Sequence, residues 1–137
     1  MPFVVDASIA LSWAFPDEAD ARADRALAQL EHEAGVAPAL WWFEVRNALI
    51  AGERRNRIDP VATTAFLRQL ARLPIILDRT PDETAALDLA RRHQLSIYNA
   101  VYLELAGRLS APLATCDVAL TKAARAERIN LIEPKIG

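Results

Sequence analysis

A single cysteine, Cys116, means that no disulfide can form within the chain, a usage that fits a reducing cytosol. Glycine is scarce, four in 137 residues, and nowhere forms a phosphate-cradling loop, which argues against a Rossmann or P-loop nucleotide site. The two histidines, His32 and His93, lie in charged, surface-like contexts. No Cys and His cluster marks a zinc site, and no serine and histidine motif supports covalent hydrolase chemistry. Long apolar runs are also missing: nothing approaches the ~18 residues that a membrane helix needs. Met1 to Asp6 leads straight into a strand-like run rather than a basic and then apolar leader, so a soluble, cytoplasmic protein without membrane contact is expected. The net charge of −2 leaves no excess of positive charge, which argues against a strongly basic nucleic-acid tail.

The remaining composition is that of a globular chain, 53% hydrophobic and 25% charged, and the length suits one domain over residues 1–137. Short apolar segments read as strands at Phe3 to Val5, Val36-Ala37, Pro74 to Leu77, Leu113 to Thr115 and Leu131-Ile132, with helix between them. This βα alternation predicts an α/β fold with a mostly parallel sheet of about five strands, covered on both faces. Asp17 to Leu30 is Ala-rich, and Trp41, Val45, Ala48 and Leu49 repeat at the spacing of one helix face. Asp59-Pro60 reads as a cap followed by proline at the first helical position, and Thr80-Pro81-Asp82-Glu83 as a capping box. Ser96 reads as a cap that places Asn99 third in its helix.

Four apolar stretches end in an acid or its neutral mimic: Val4-Val5-Asp6, Trp42-Phe43-Glu44, Ile97-Tyr98-Asn99 and Ala114-Thr115-Cys116-Asp117. In a parallel sheet, ligands gather outside the carboxyl ends of the strands, where Asp6 and Asp117 should emerge. Facing carboxylates raise one another's pKa unless a cation neutralises them, and an all-oxygen set suits Mg²⁺ or Mn²⁺. Such an ion activates water for attack on a phosphodiester. Asp6 and Asp117 could equally be plain helix caps, and Asp78, beside Arg79, reads as a solvated loop acid. Fourteen of the sixteen cations are Arg, the residue suited to bidentate phosphate contacts, in clusters at Arg54-Arg55-Asn56-Arg57 and Arg91-Arg92-His93. Arg54, Arg55 and Arg57 are the candidates for RNA phosphates, against a plain role as cations at a helix end.

At Val4 to Ser8, Pro38 to Leu49, Leu95 to Ala106 and Leu113 to Asp117 the chain resembles the PIN-domain ribonucleases, and among them the VapC-type toxins of toxin–antitoxin pairs. The resemblance spans nearly the whole chain. It implies a three-layer α/β/α sandwich and Mg²⁺-dependent endonucleolytic cleavage of structured RNA such as transfer or ribosomal RNA. It makes Asp6, Glu44 and Asp117 metal-site acids, with Ser8 and Thr115 as hydrogen-bonding support. Asn99 stands where the family usually has Asp, a principal metal ligand; it is either an introduced change or a natural loss. If the missing ligand costs about 3 kcal/mol, comparable to losing a charged hydrogen-bond partner, metal affinity falls more than a hundredfold. The resemblance also implies a homodimer and a cognate VapB-type antitoxin. Trp41-Trp42-Phe43, Trp13 and Phe15 offer aromatic surface for it, with Trp13 and Phe15 expected to be the more exposed pair.

Two rival readings remain at this point. A catalytically dead module would bind RNA or the antitoxin without turnover. A phosphoacceptor receiver fits poorly, because Asp6 has no acidic neighbour; a phosphatase of the haloacid-dehalogenase type needs a second Asp where Ser8 stands.

Overall fold

The computed structural model describes residues 1–134. Its elements run β1 (Phe3–Val5), α1 (Ala7–Ala14), a 3₁₀ turn (Pro16–Glu18), α2 (Ala21–Gln29), β2 (Gly35–Pro38), α3 (Leu40–Arg54), α4 (Pro60–Leu70), β3 (Ile75–Asp78), α5 (Glu83–His93), α6 (Ile97–Leu109), β4 (Leu113–Ala114) and α7 (Val118–Ala126). The sheet has the order β3-β2-β1-β4, and every pairing is parallel. The fifth strand expected at Leu131-Ile132 is reduced to one parallel bridge between Leu131 and Leu113. A β4 of only two residues gives a longer edge strand little to pair with.

Strand alternation sends side chains to both faces, producing the three layers. Val4 joins a cluster with Trp41, Val45, Leu49, Tyr102, Leu103 and Leu120, whereas Phe3 and Val5 pack with Ile9, Ala23, Ala26 and Leu30. Side chains at Trp41, Val45 and Leu49 are buried at the spacing read from the sequence. Gly35 is confined on three sides: an added Cβ would meet Leu30, Val5 and Ile75 side chains at 3.1–3.2 Å.

Caps decide where helices start. Asp59 accepts from the Ala62 N–H ahead of Pro60, and Ser96 accepts from the Asn99 N–H, as expected. The start of α5 differs: Asp82, not Thr80, is its cap, accepting from Ala85 N–H at 3.0 Å. Helix α2 also starts late, because Asp20 extends and caps it after the Pro16–Glu18 turn.

The expected exposure of Trp13 and Phe15 is overturned. Phe15 is 2% exposed, since Gly52 of α3 lets its ring lie where any Cβ would stand 2.7 Å from the ring. Trp13 is half-buried and its indole N–H donates to the Ala23 carbonyl at 2.9 Å. The exposed aromatic pair is Trp42 and Phe43, at 44% and 65% exposure. Among the described residues, no helix is long and apolar enough to cross a membrane.

Candidate functional site

From β1 the chain first builds outward through β2 to β3, then returns to place β4 on the other side of β1. The crevice at this reversal, outside the strands' carboxyl ends, is where open α/β sheets bind ligands. Asp6 follows β1 and Asp117 lies just beyond β4, so both arrive there.

Asp6 is the N-cap of α1 and is 4% exposed. Its Oδ1 accepts from the Ser8 hydroxyl at 2.6 Å and the Ile9 N–H at 3.2 Å, and its Oδ2 accepts from the Thr115 hydroxyl. Burial pushes the Asp6 carboxyl from 3.8 up to about 6; the bonds from Ser8, Thr115 and Ile9 oppose the rise, and the Asp117 charge adds to it. The two supporting hydroxyls also stitch the strand ends together: Ser8 Oγ accepts from Cys116 N–H at 2.8 Å, and Thr115 Oγ1 accepts from Asp117 N–H at 3.0 Å. Asp117 caps α7 by accepting from Leu120 N–H at 2.8 Å. Both caps face the same crevice, because a helix that starts at a strand's carboxyl end aims its cap there. Between Thr115 and Asp117, burial and the charge of Asp20 push the Cys116 thiol up to about 11, so it stays protonated.

Glu44 lies in the first half of α3, half-buried, and its Oε1 accepts from the Tyr102 hydroxyl at 2.6 Å. Tyr102, on α6, is 2% exposed; burial foremost, then the bond to Glu44 and the charges of Glu44 and Asp6, push its ionisation far up. Its hydroxyl is thus a fixed donor linking α6 to α3. Asn99 sits one turn earlier on α6, so it shares a helix face with Tyr102. Among the described residues its side-chain amide has no protein partner, and its backbone N–H is taken by Ser96 Oγ at 3.1 Å.

Sequence reasoning assigned no role to Tyr102 or Glu104. The first is found by the i, i+3 spacing from Asn99. The second is signalled by a lone carboxylate in the apolar run Tyr102-Leu103-Glu104-Leu105. Glu104, 3% exposed, accepts from Arg108 at 2.7 and 3.0 Å, and the same guanidinium donates to Asp78 at 2.8 and 3.2 Å. Asp78 is therefore ion-paired instead of a free loop acid. His93, read as surface, is close to Glu127 at 2.6 Å, its side chain 14% exposed.

The arginine candidates lie elsewhere. Arg54 ends α3, ten residues beyond Glu44 and so about 15 Å further along the helix. Arg57 pairs with Asp17 at 3.0 Å and Glu18 at 2.7 Å and stacks on the Phe15 ring at 4.1 Å. It is a tie between α3 and the Pro16–Glu18 turn.

Oxygen donors fit a hard divalent ion. Asp6 has about four lone-pair sites and three protein donors, Glu44 keeps Oε2, and Asp117 keeps Oδ2. Yet among the described residues no three of Asp, Glu, His and Cys close into a metal-holding group. The fourth corner of the constellation is the neutral Asn99.

A search of curated proteins returned no match. Among solved structures, the crystal structure of PAE2754 from Pyrobaculum aerophilum is similar: it is 25% identical, superposes with a TM-score of 0.69, and the match covers 90% of this chain and 84% of that one. The PIN domain is matched across residues 3–126, which takes in all four corners and both supporting hydroxyls. The chain belongs to the PIN-domain family, whose fold is of nuclease type and whose members are usually metal-dependent nucleases.

Proposed function

We propose that this chain is the ribonuclease toxin of a VapC-type toxin–antitoxin module, a Mg²⁺-dependent endonuclease weakened by Asn99. The observation that carries the reading is Asp6: a buried carboxylate held by three donors at the sheet's reversal point, beside Asp117, with no cation paired to it. Burial of an unpaired acid is costly, and a site that tolerates it is a candidate for function. Asp6, Glu44 and Asp117 would hold the ion, Mg²⁺ or Mn²⁺, which when bound supplies charge stabilisation and a more acidic water.

The chain's own residues do the positioning. Ser8 and Thr115 fix the Asp6 carboxylate, and Tyr102 holds one Glu44 oxygen so that the other points to a defined place. Asn99 presents a neutral amide at the corner where a carboxylate would complete the set. RNA is the substrate in this reading, a VapB-type antitoxin is the inhibitor, and a homodimer is the working state. Exposed Trp42 and Phe43, two residues and one residue before Glu44, provide aromatic surface next to the site.

The test is cleavage of total transfer and ribosomal RNA by the chain and by its Asn99→Asp form, each with Mg²⁺ and with EDTA. Metal-dependent cleavage by the Asp form, at least a hundredfold above the Asn form, is expected. Cleavage by neither refutes the nuclease reading in favour of a binding module.

A further inference from the structure

We propose that the RNA strand leaves the acidic site along the cleft between α2 and α7, where Arg22, Lys122 and Arg125 take its phosphates; the proposal rests on the nuclease reading above. Two adjoining hollows, of about 310 and 250 Å³, share Arg22, Thr121 and Arg125. The first reaches Thr115, whose hydroxyl holds Asp6, and the second is rimmed by Lys122. The cleft is therefore continuous with the wall of the acidic site.

Its cations are available to an anion in different degrees. Lys122 is exposed and has no ion-pair partner among the described residues. Arg125 pairs with Glu133 at 3.0 Å, but the two side chains are 66% and 55% exposed. Surface pairs of that kind are worth about 0–1 kcal/mol, so a phosphate competes readily. Arg22 is fixed by Asp20 through Nε at 2.9 Å and Nη2 at 2.7 Å, which leaves Nη1 as a preset donor.

Spacing supports a track. Asp117 caps α7, and Arg125 lies eight residues along it, about 12 Å from the acid. For a strand that keeps the stacked rise of a duplex, about 3.4 Å per nucleotide, this spans three to four nucleotides. The Thr121 hydroxyl, one turn from Asp117, donates to the Asp117 carbonyl at 2.7 Å, so the helix between acid and cation is tied at its start. The exposed cations at the other end of α3, Arg54 and Arg55, adjoin neither hollow.

The experiment uses fluorescein-labelled single-stranded RNA of about ten nucleotides and mixed sequence, long enough to reach from the acidic site past Arg125, followed by anisotropy in EDTA over a salt series. Lys122→Ala/Arg125→Ala should bind at least tenfold more weakly, with a salt slope shallower by about 1.4, since each lost contact to single-stranded nucleic acid removes about 0.7. Arg68→Ala/Arg72→Ala, at two exposed cations that line neither hollow, should leave affinity and slope unchanged. All four side chains are exposed, so folding is preserved. Unchanged affinity and slope in the Lys122/Arg125 variant, with the parent still binding, overturns the cleft alone. If the parent binds no RNA, the nuclease reading falls and the cleft with it.

Discussion

Replacing Asp6 with Asn should make the metal-free protein less sensitive to pH between 4.5 and 7.5. The folded carboxyl titrates near 6 against 3.8 in an exposed chain, because it is buried. Below 3.8 it is protonated in both states and has no effect on stability. Between 3.8 and 6 the unfolded chain sheds its proton while the folded one keeps it, so the unfolded state binds fewer protons and stability falls as pH rises. Well above 6 the penalty is complete at about 3 kcal/mol. Between pH 4.5 and 7.5 the change amounts to about 2 kcal/mol. Asp6→Asn cannot ionise, so urea unfolding in EDTA should show the parent losing about 2 kcal/mol relative to the variant over that interval, or roughly 1 M in midpoint. Every other ionisable group is common to the two proteins, so its contribution drops out of the difference. A parent that keeps pace with the variant across the interval would refute the placement of Asp6 as a buried, uncompensated acid.

Arg108→Met should cost about 3–5 kcal/mol in urea unfolding, because it strands the buried Glu104 without its cation; adding Glu104→Gln should recover at least half, and no recovery would mean that Arg108 acts through packing instead. Tyr102→Phe, made in the Asn99→Asp form, removes the donor that fixes Glu44 and should lower cleavage about 10–100-fold while stability drops by about 1 kcal/mol; unchanged cleavage would show that Glu44 needs no orienting. The Asn99→Asp form should gain about 2.7 kcal/mol of stability at a Mg²⁺ concentration a hundred times its Kd. At that same concentration the Asn form should gain little, and equal gains in the two forms would place the ion away from position 99.

Elements with a local cause were legible in the sequence. Asp59-Pro60 and Ser96 start helices through their own side chains, and Trp41, Val45 and Leu49 bury one face by periodicity alone. What escaped depended on a partner far along the chain. Phe15 is buried because Gly52 is bare, and Arg57 is engaged because the Pro16–Glu18 turn brings Asp17 and Glu18 to it. The strand expected at Leu131-Ile132 needed a longer neighbour than β4 offers. The candidate site divides in the same way: Asp6, Asn99 and Asp117 lie at or near helix starts that the sequence marks, whereas the Tyr102 bridge to Glu44 spans 58 residues of sequence.

In the proposed reading Asp6 and Asp117 serve both as helix caps and as site acids, which bears on how such a site can lose a corner and keep its fold. Both acids cap helices, so replacing either by a residue that cannot cap, such as Ala, removes a start signal as well as a charge, at a typical cost of about 1 kcal/mol for the cap. Position 99 is different: Ser96 already caps α6, and the residue at 99 contributes only its backbone N–H to that start. A change there is free of the capping penalty and touches no side-chain bond among the described residues. Of the three corners near helix starts, position 99 is thus the one whose side chain takes no part in starting a helix. Removing that carboxylate also relieves repulsion among the facing acids. The position that most weakens the chemistry in the proposed reading is also the position the fold needs least.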